Sequence, residues 1–185
     1  MNEQQFLKER FKMTAIASSP HRLRFEPILF EKNQVYLNLA CSYEAEFSRI
    51  TSVLPDASGF FEPQTTLFDL NGRPTESQGT LAYCNEIPVG FGVVGKHSGR
   101  NDVAEFYIIP SMRGQMHGYH LAAHLFDQER GWWQVRQIAG AADARAFWIR
   151  AISKYTEGRY TEDTFEDPDW GVVTRQVFSS MRENI

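Results

Sequence analysis

Residues 103–138 read VAEFYIIPSMRGQMHGYHLAAHLFDQERGWWQVRQI, and this stretch decides the fold. VAEFYII (103–109) is rich in β-branched and aromatic side chains and ends at Pro110, which has no N–H to continue a ladder. WWQVRQI (132–138) has the same character. Between them, residues 117–129 carry Leu121, Ala122 and Leu125 as an apolar stripe. A strand, a helix and a second strand in that order need a crossover, so some strand pairing is parallel.

Working outward, TLAYC (80–84) and VGFGVVG (89–95) flank NEIP and read as a hairpin, which adds antiparallel pairing. Gly90, Gly92 and Gly95 would weaken the second strand unless something packs closely over it. RLRFE (22–26) alternates and stops at Pro27, which gives a first strand. Tyr36, Leu39, Ala40, Tyr43 and Phe47 form one face of a helix. Residues 55–79 are rich in Gly, Pro and polar residues and read as an irregular lid or substrate loop. Beyond the central unit, Ala142, Ala146, Phe147, Trp148, Ala151 and Ile152 suit a buried helix. EGRYTEDTFED and GVVTRQVFS are two strands joined through Pro168 and Gly171. Phe6, Leu7 and Phe11 among charges predict an N-terminal helical arm over residues 1–20, ahead of a single domain over 21–185. The expected class is α/β (α+β), with a mixed, mostly antiparallel sheet of about six to seven strands flanked by helices.

Composition narrows the function. Hydrophobic residues make up 42% of the 185, ample for a core, while the net charge of −4 comes with no Lys/Arg-rich run. Nucleic-acid binding needs a basic face and is not expected. The N-terminus is too charged for a signal peptide, and no apolar run reaches membrane-spanning length. Cys41 and Cys84 form no CxxC pair and read as reduced thiols, so the expected location is cytoplasmic.

The chemistry concentrates in SMRGQMHG. A helix N-terminus presents unpaired N–H groups and partial positive charge, hence a natural phosphate site. Arg113 adds a cation, against the alternative of a solvent-exposed loop arginine, and Gly114 and Gly118 allow close approach. The spacing fits neither GxxxxGK[ST] nor GxGxxG. His117, His120 and His124 share one side of the helix, but they border an apolar stripe, and no metal is expected.

A strand, a proline, then Arg113-x-x-x-x-Gly118 entering a helix resembles the acyl-CoA-binding motif of the GNAT N-acetyltransferases, Gln/Arg-x-x-Gly-x-Gly/Ala. Met116 stands where that motif has glycine. GWWQVRQ, ARAFW and KYTEGRYTE resemble, more narrowly, a bacterial group of predicted acetyltransferases with no assigned substrate. The resemblance implies a GNAT-like fold and an acyl-CoA-dependent N-acyltransferase. Acetyl-CoA would be the co-substrate, and a primary amine, small-molecule or peptide, would attack the thioester directly. It implies that the strand backbone at Phe106, Tyr107, Ile108 and Ile109 meets the pantetheine arm. The amides of Gly114, Gln115, Met116, His117, Gly118 and Tyr119 would hold the pyrophosphate, with Arg113 beside them.

By the same resemblance Glu105, mid-strand between Ala104 and Phe106, is the general base; the alternative is an ion pair with Arg136. The family's acid is often a tyrosine on the helix after the fifth strand, a place held here by Trp148, whose indole is no acid at neutral pH. Tyr155 is the substitute candidate. Met116 and Trp148 also support a second reading, a GNAT-like protein impaired in catalysis that binds a partner or another ligand. A homodimer through the aromatic-rich C-terminal strands is compatible with either.

Overall fold

The computed structural model describes residues 23–181; the expected arm over residues 1–20 lies outside them. Seven strands form one sheet: β1 (Leu23–Pro27), β2 (Gln78–Cys84), β3 (Ile87–His97), β4 (Arg100–Ile108), β5 (Trp132–Ile138), β6 (Thr161–Asp167) and β7 (Gly171–Ser179). Their spatial order is β1-β2-β3-β4-β5-β7-β6. All neighbours are antiparallel except β4 and β5, the pair the central crossover predicts.

Three helices cover the sheet: α1 (Asn33–Thr51), α2 (His117–Gln128) and α3 (Ala142–Thr156). Alternation along β2 sorts them by face. Leu81 and Tyr83 point to a core shared with Tyr36 and Ala40 of α1. Ala82 and Cys84 point to the opposite core, with Leu121, Leu125 and Phe126 of α2 and Trp148 and Ile152 of α3. The glycines of β3 have their cause in this packing. A Cβ on Gly92 would lie 2.6 Å from Leu125 Cδ1, and one on Gly90 would lie 2.3 Å from the Tyr107 carbonyl. Only a strand without side chains there lets α2 and β4 come so close.

Trp132 and Trp133 point to opposite faces as their adjacency requires: Trp133 is fully buried and Trp132 is exposed. Neither cysteine is joined in a disulfide among the described residues; Cys84 is buried, and Cys41, on the side of α1, is half-buried. Between Ser52 and Ser77 the chain is largely irregular, as expected, although β2 begins at Gln78, inside the predicted loop.

Candidate active site

The site arises from a defect in the sheet. β4 and β5 pair through Asn101–Val103 against Trp133–Val135 and then part. Arg136 clasps the vertex. Its guanidinium donates to both carboxylate oxygens of Asp102 on β4 (3.1 and 3.0 Å) and to Asp167 on β6 (2.8 Å). Arg136 is therefore committed here, and the alternative of a pair with Glu105 is not what forms.

Past the vertex, a cavity of about 820 Å³ fills the wedge. Ala104, Phe106, Tyr107 and Ile108 line one side and Val135–Ile138 the other. Because it passes through the sheet, the cavity is walled by helices from both faces: Tyr43, Glu46 and Phe47 of α1, and Phe147, Trp148, Ala151 and Lys154 of α3. The volume suits a sizeable organic ligand.

The sequence-predicted cofactor residues divide at this wall. Phe106, Tyr107, Ile108, Arg113, Gly114, Met116, Gly118 and Tyr119 line the cavity; Ile109, Gln115 and His117 do not. His117 is buried at the first position of α2, and its Nδ1 lies 2.9 Å from the Met112 carbonyl, so it fastens the loop from within. His124 stacks on Phe25 and sits 3.1 Å from Gln128 Nε2, and His120 lies against Tyr119. The three histidines thus diverge, and no group of three potential metal ligands occurs among the described residues.

Met116 caps α2 with φ 65° and ψ 0°, the left-handed conformation. The position demands the backbone that glycine supplies, and a methionine has to be forced into it. Gly114 is also left-handed, with φ +76°. Met116 offers no side-chain acceptor to the first amides of the helix, which point toward the cavity rim unassisted by a cap. Gly118 faces Phe147, whose ring carbon would stand 3.0 Å from a Cβ placed there. Arg113 is neither free nor simply solvated. Its Nε donates to the Ile108 carbonyl, and its Nη2 contacts both carboxylate oxygens of Glu46 at 3.1 and 2.9 Å. The Tyr107 hydroxyl donates to the same Glu46 (2.9 Å), and burial holds its proton up to about pH 12.

Glu105 points to the α1 face, one layer behind the cavity wall, and is 3% exposed. The Thr65 amide donates to its Oε1 at 2.7 Å. The Tyr36 hydroxyl lies between the Thr65 carbonyl (2.8 Å) and Glu105 Oε2 (3.0 Å). A hydroxyl has a single proton, so both contacts are hydrogen bonds only when Glu105 is itself protonated. Burial raises its pKa in the same direction, against the opposing hydrogen bonds from Thr65 and Tyr36.

A second acid was missed from sequence. Glu44 of α1 is 4% exposed, and burial pushes its carboxyl up to about 7, with nearby Glu105 adding to the effect. Gln64 Nε2 donates to its Oε2 at 3.2 Å, and Oε1 has no hydrogen-bond partner among the described residues. The available signal was register: Tyr36, Ala40 and Glu44 fall four residues apart and share the buried stripe. Gln64 itself lines the cavity, so the segment 64–65 forms a partition between the cavity and both carboxyls. Arg150 and Lys154, cations one helical turn apart on the α3 wall, were also missed.

Tyr155 does not line the cavity. Its hydroxyl donates to Asp127 of α2 at 2.8 Å while its ring packs on Phe126 and Phe178. Trp148 does line it, edge-on to Phe106 with ring centres 4.8 Å apart.

No protein-family model and no curated protein matches the chain. Solved structures do. The ribosomal-protein-S18-alanine N-acetyltransferase of Escherichia coli superposes with a TM-score of 0.56 at 12% identity, over 89% of this chain and 99% of that one. A GNAT-family protein from Desulfovibrio desulfuricans gives 0.56 at 10% identity, over 86% and 100%. Nourseothricin acetyltransferase gives 0.52 at 16% identity, over 86% and 99%. The chain has the GNAT fold: a seven-stranded, mostly antiparallel sheet flanked by three helices and opened between its fourth and fifth strands.

Proposed function

We propose that the protein is an acyl-CoA-dependent N-acyltransferase, with acetyl-CoA as co-substrate and a primary amine as acceptor. The observation that carries this reading is the wedge between β4 and β5, a cavity that reaches from the α2 N-terminus through the sheet to Gln64, behind which lie two buried carboxyls. The residues fit such a co-substrate. Gly114, Met116, Gly118 and Tyr119 form a rim of main-chain amides suited to a pyrophosphate. Arg150 and Lys154 supply cations for further phosphate. The edge of β4 beyond Val103, unpaired with β5, offers backbone groups to an extended pantetheine arm.

In the reaction the amine nitrogen forms a bond to the thioester carbonyl carbon, and the C–S bond breaks. The amine must first lose a proton from its ordinary ammonium form, of pKa about 10.4. When ionised, with the Tyr36 hydroxyl donating to it or to the Thr65 carbonyl, Glu105 receives that proton by way of water at the Gln64–Thr65 partition, its proton affinity raised by burial. The thiolate needs no strong acid to leave, because a thiol of pKa about 8.5 is a good leaving group near neutral pH. With Tyr155 held at Asp127 and Trp148 no acid, the second proton that the nitrogen sheds as the amide forms passes through water at the cavity mouth to the thiolate.

The second reading, a GNAT-like protein impaired in catalysis, draws on two features: the strained Met116 at the rim and the engagement of Arg113 by Glu46. Isothermal calorimetry with acetyl-CoA and with CoA separates the two. Micromolar binding together with loss of turnover in Glu105→Gln supports the enzyme; no binding at high micromolar concentration supports the alternative.

A further inference from the structure

The α1 side of the cavity has a chemistry that a generic amine does not require. Four aromatic rings surround it: Tyr43, Phe47, Tyr107 and Trp170. Tyr43 stacks on Phe47 with centres 5.6 Å apart, lies 5.9 Å from Tyr107, and Phe47 meets Trp170 edge-on at 6.5 Å. Trp170 lines the cavity and is 39% exposed, so its ring is open to a ligand. Its turn is built with care. Asp167 Oδ1 accepts from the amides of Asp169 and Trp170 (3.0 and 3.2 Å), while its Oδ2 is held by Arg136. The arginine that clasps the wedge therefore also fixes the tryptophan at its mouth.

At the inner end stand Gln64 and, behind it, the two acids. Among the described residues the buried Glu44 Oε1 atom has no hydrogen-bond partner, a costly arrangement that a donor from a ligand would relieve. The other charged groups on this side are already matched: Glu46 by Arg113, and Arg49 by Asp143 at 3.6 Å.

Resting on the acyltransferase reading above, we propose that the acceptor is a primary amine joined by a short linker to a flat aromatic ring. The ring lies among Tyr43, Phe47, Tyr107 and Trp170, and the amine is directed past Gln64 toward Glu44 and Glu105. Aromatic walls attract a ring through offset and edge-on contacts and a cation through their faces. An amino sugar fits less well, because its many hydroxyls would find few partners beyond the phenols of Tyr43 and Tyr107 and the amide of Gln64. A polyamine fits less well, because its further amines would find the carboxylates that line this side, Glu46 and Asp143, already paired with Arg113 and Arg49.

The test uses the full chain with tryptamine as probe, against butylamine, spermidine and an aminoglycoside. Binding is read by calorimetry, and turnover with acetyl-CoA by release of the CoA thiol. Tryptamine is expected to exceed butylamine by about tenfold or more in kcat/KM. Trp170→Ala should lower tryptamine affinity by a similar factor, and Trp170→Phe should restore most of it. A peptide beginning with phenylalanine that competes with tryptamine would place the amine at a peptide terminus; lack of competition would place it on a free small molecule. Tighter binding of spermidine or the aminoglycoside, or an unchanged affinity in Trp170→Ala, overturns the proposal. If acetyl-CoA fails to bind while tryptamine binding still depends on Trp170, the aromatic chamber stands and the acyl-transfer reading falls. If acetyl-CoA binds and tryptamine does not, the reverse holds.

Discussion

Arg113 of the loop before α2 and Glu46 of α1 meet as a bidentate ion pair across the mouth of the cavity, with the Arg113 guanidinium also 5.5 Å from the Tyr107 ring. The pair joins the loop proposed to hold phosphate to the helix proposed to receive the acceptor. Both side chains are more than two-fifths exposed, so the pair itself adds at most about 1 kcal/mol to stability. Its effect on ligands is the larger one, because it keeps the cation away from any phosphate. Glu46→Gln is expected to leave the unfolding midpoint nearly unchanged and to tighten CoA binding a few-fold in calorimetry. Weaker CoA binding in that variant would mean the pair shapes the loop instead of competing with the ligand.

Met116 carries a glycine-type dihedral and a side chain that is 44% exposed at the rim. Two effects of its replacement can be separated. Met116→Ala removes the side chain and keeps the strain; Met116→Gly removes both. Relief of a left-handed non-glycine residue is worth about 1 kcal/mol, partly offset by the greater freedom of glycine in the unfolded chain. The glycine variant is expected to be at least as stable as the parent by urea unfolding, and the alanine variant less stable than the glycine one. If both bind CoA more tightly than the parent, the side chain was the obstacle; if only the glycine variant does, the backbone was.

Glu44 gives stability a pH dependence whose sign is fixed. Its folded-state pKa, about 7, lies above its ordinary value of 4.5, so the folded chain holds the proton more tightly than the unfolded one. That stabilisation is fully present below about pH 4.5 and is lost as pH rises through about 7. Glu44→Gln should therefore gain stability over the parent at pH 8, by about 2 kcal/mol, with a smaller difference at pH 5. Urea unfolding of both proteins at the two pH values measures it. Parallel pH profiles would show that Glu44 ionises as an ordinary surface acid.

The vertex clasp is a structural element, and breaking it should cost accordingly. Asp102 is almost fully buried, and Arg136 depends on it and on Asp167 for its hydrogen bonds. Asp102→Ala leaves the guanidinium half-matched in a low-dielectric site and is expected to destabilise by about 3 kcal/mol in denaturant unfolding. A loss below about 0.5 kcal/mol, the ordinary size of a surface change, would show that the vertex is held by the backbone ladder alone.

Periodicity carried the fold. β5 was legible to the residue as WWQVRQI, because aromatic and β-branched side chains in a short run have few other uses. The crossover rule then fixed the parallel pair. The cavity wall was legible only where it follows from that local pattern: the loop before α2 and the edge of β4. Glu46 and Arg113 lie 67 residues apart, and no local signal ties a helix carboxylate to a distant loop arginine. Glu44 sits in SYEAEF, where two acids close together suggest a solvated face. One of them turns inward because α1 packs on the sheet through the register of Tyr36 and Ala40. The Met116 dihedral was hidden for another reason: the conformation is imposed by the turn between Pro110 and the helix, not by the residue that adopts it.

The three-residue contact of β4 with β5 has a mechanical meaning. β1 to β4 form one antiparallel ribbon and β5 to β7 another, and three rungs of ladder with one arginine weld them together. A molecule lying in the wedge would touch both ribbons at once and act as a splint across the weld. Its binding would be felt as stiffness between the two halves of the sheet, far from the atoms that react.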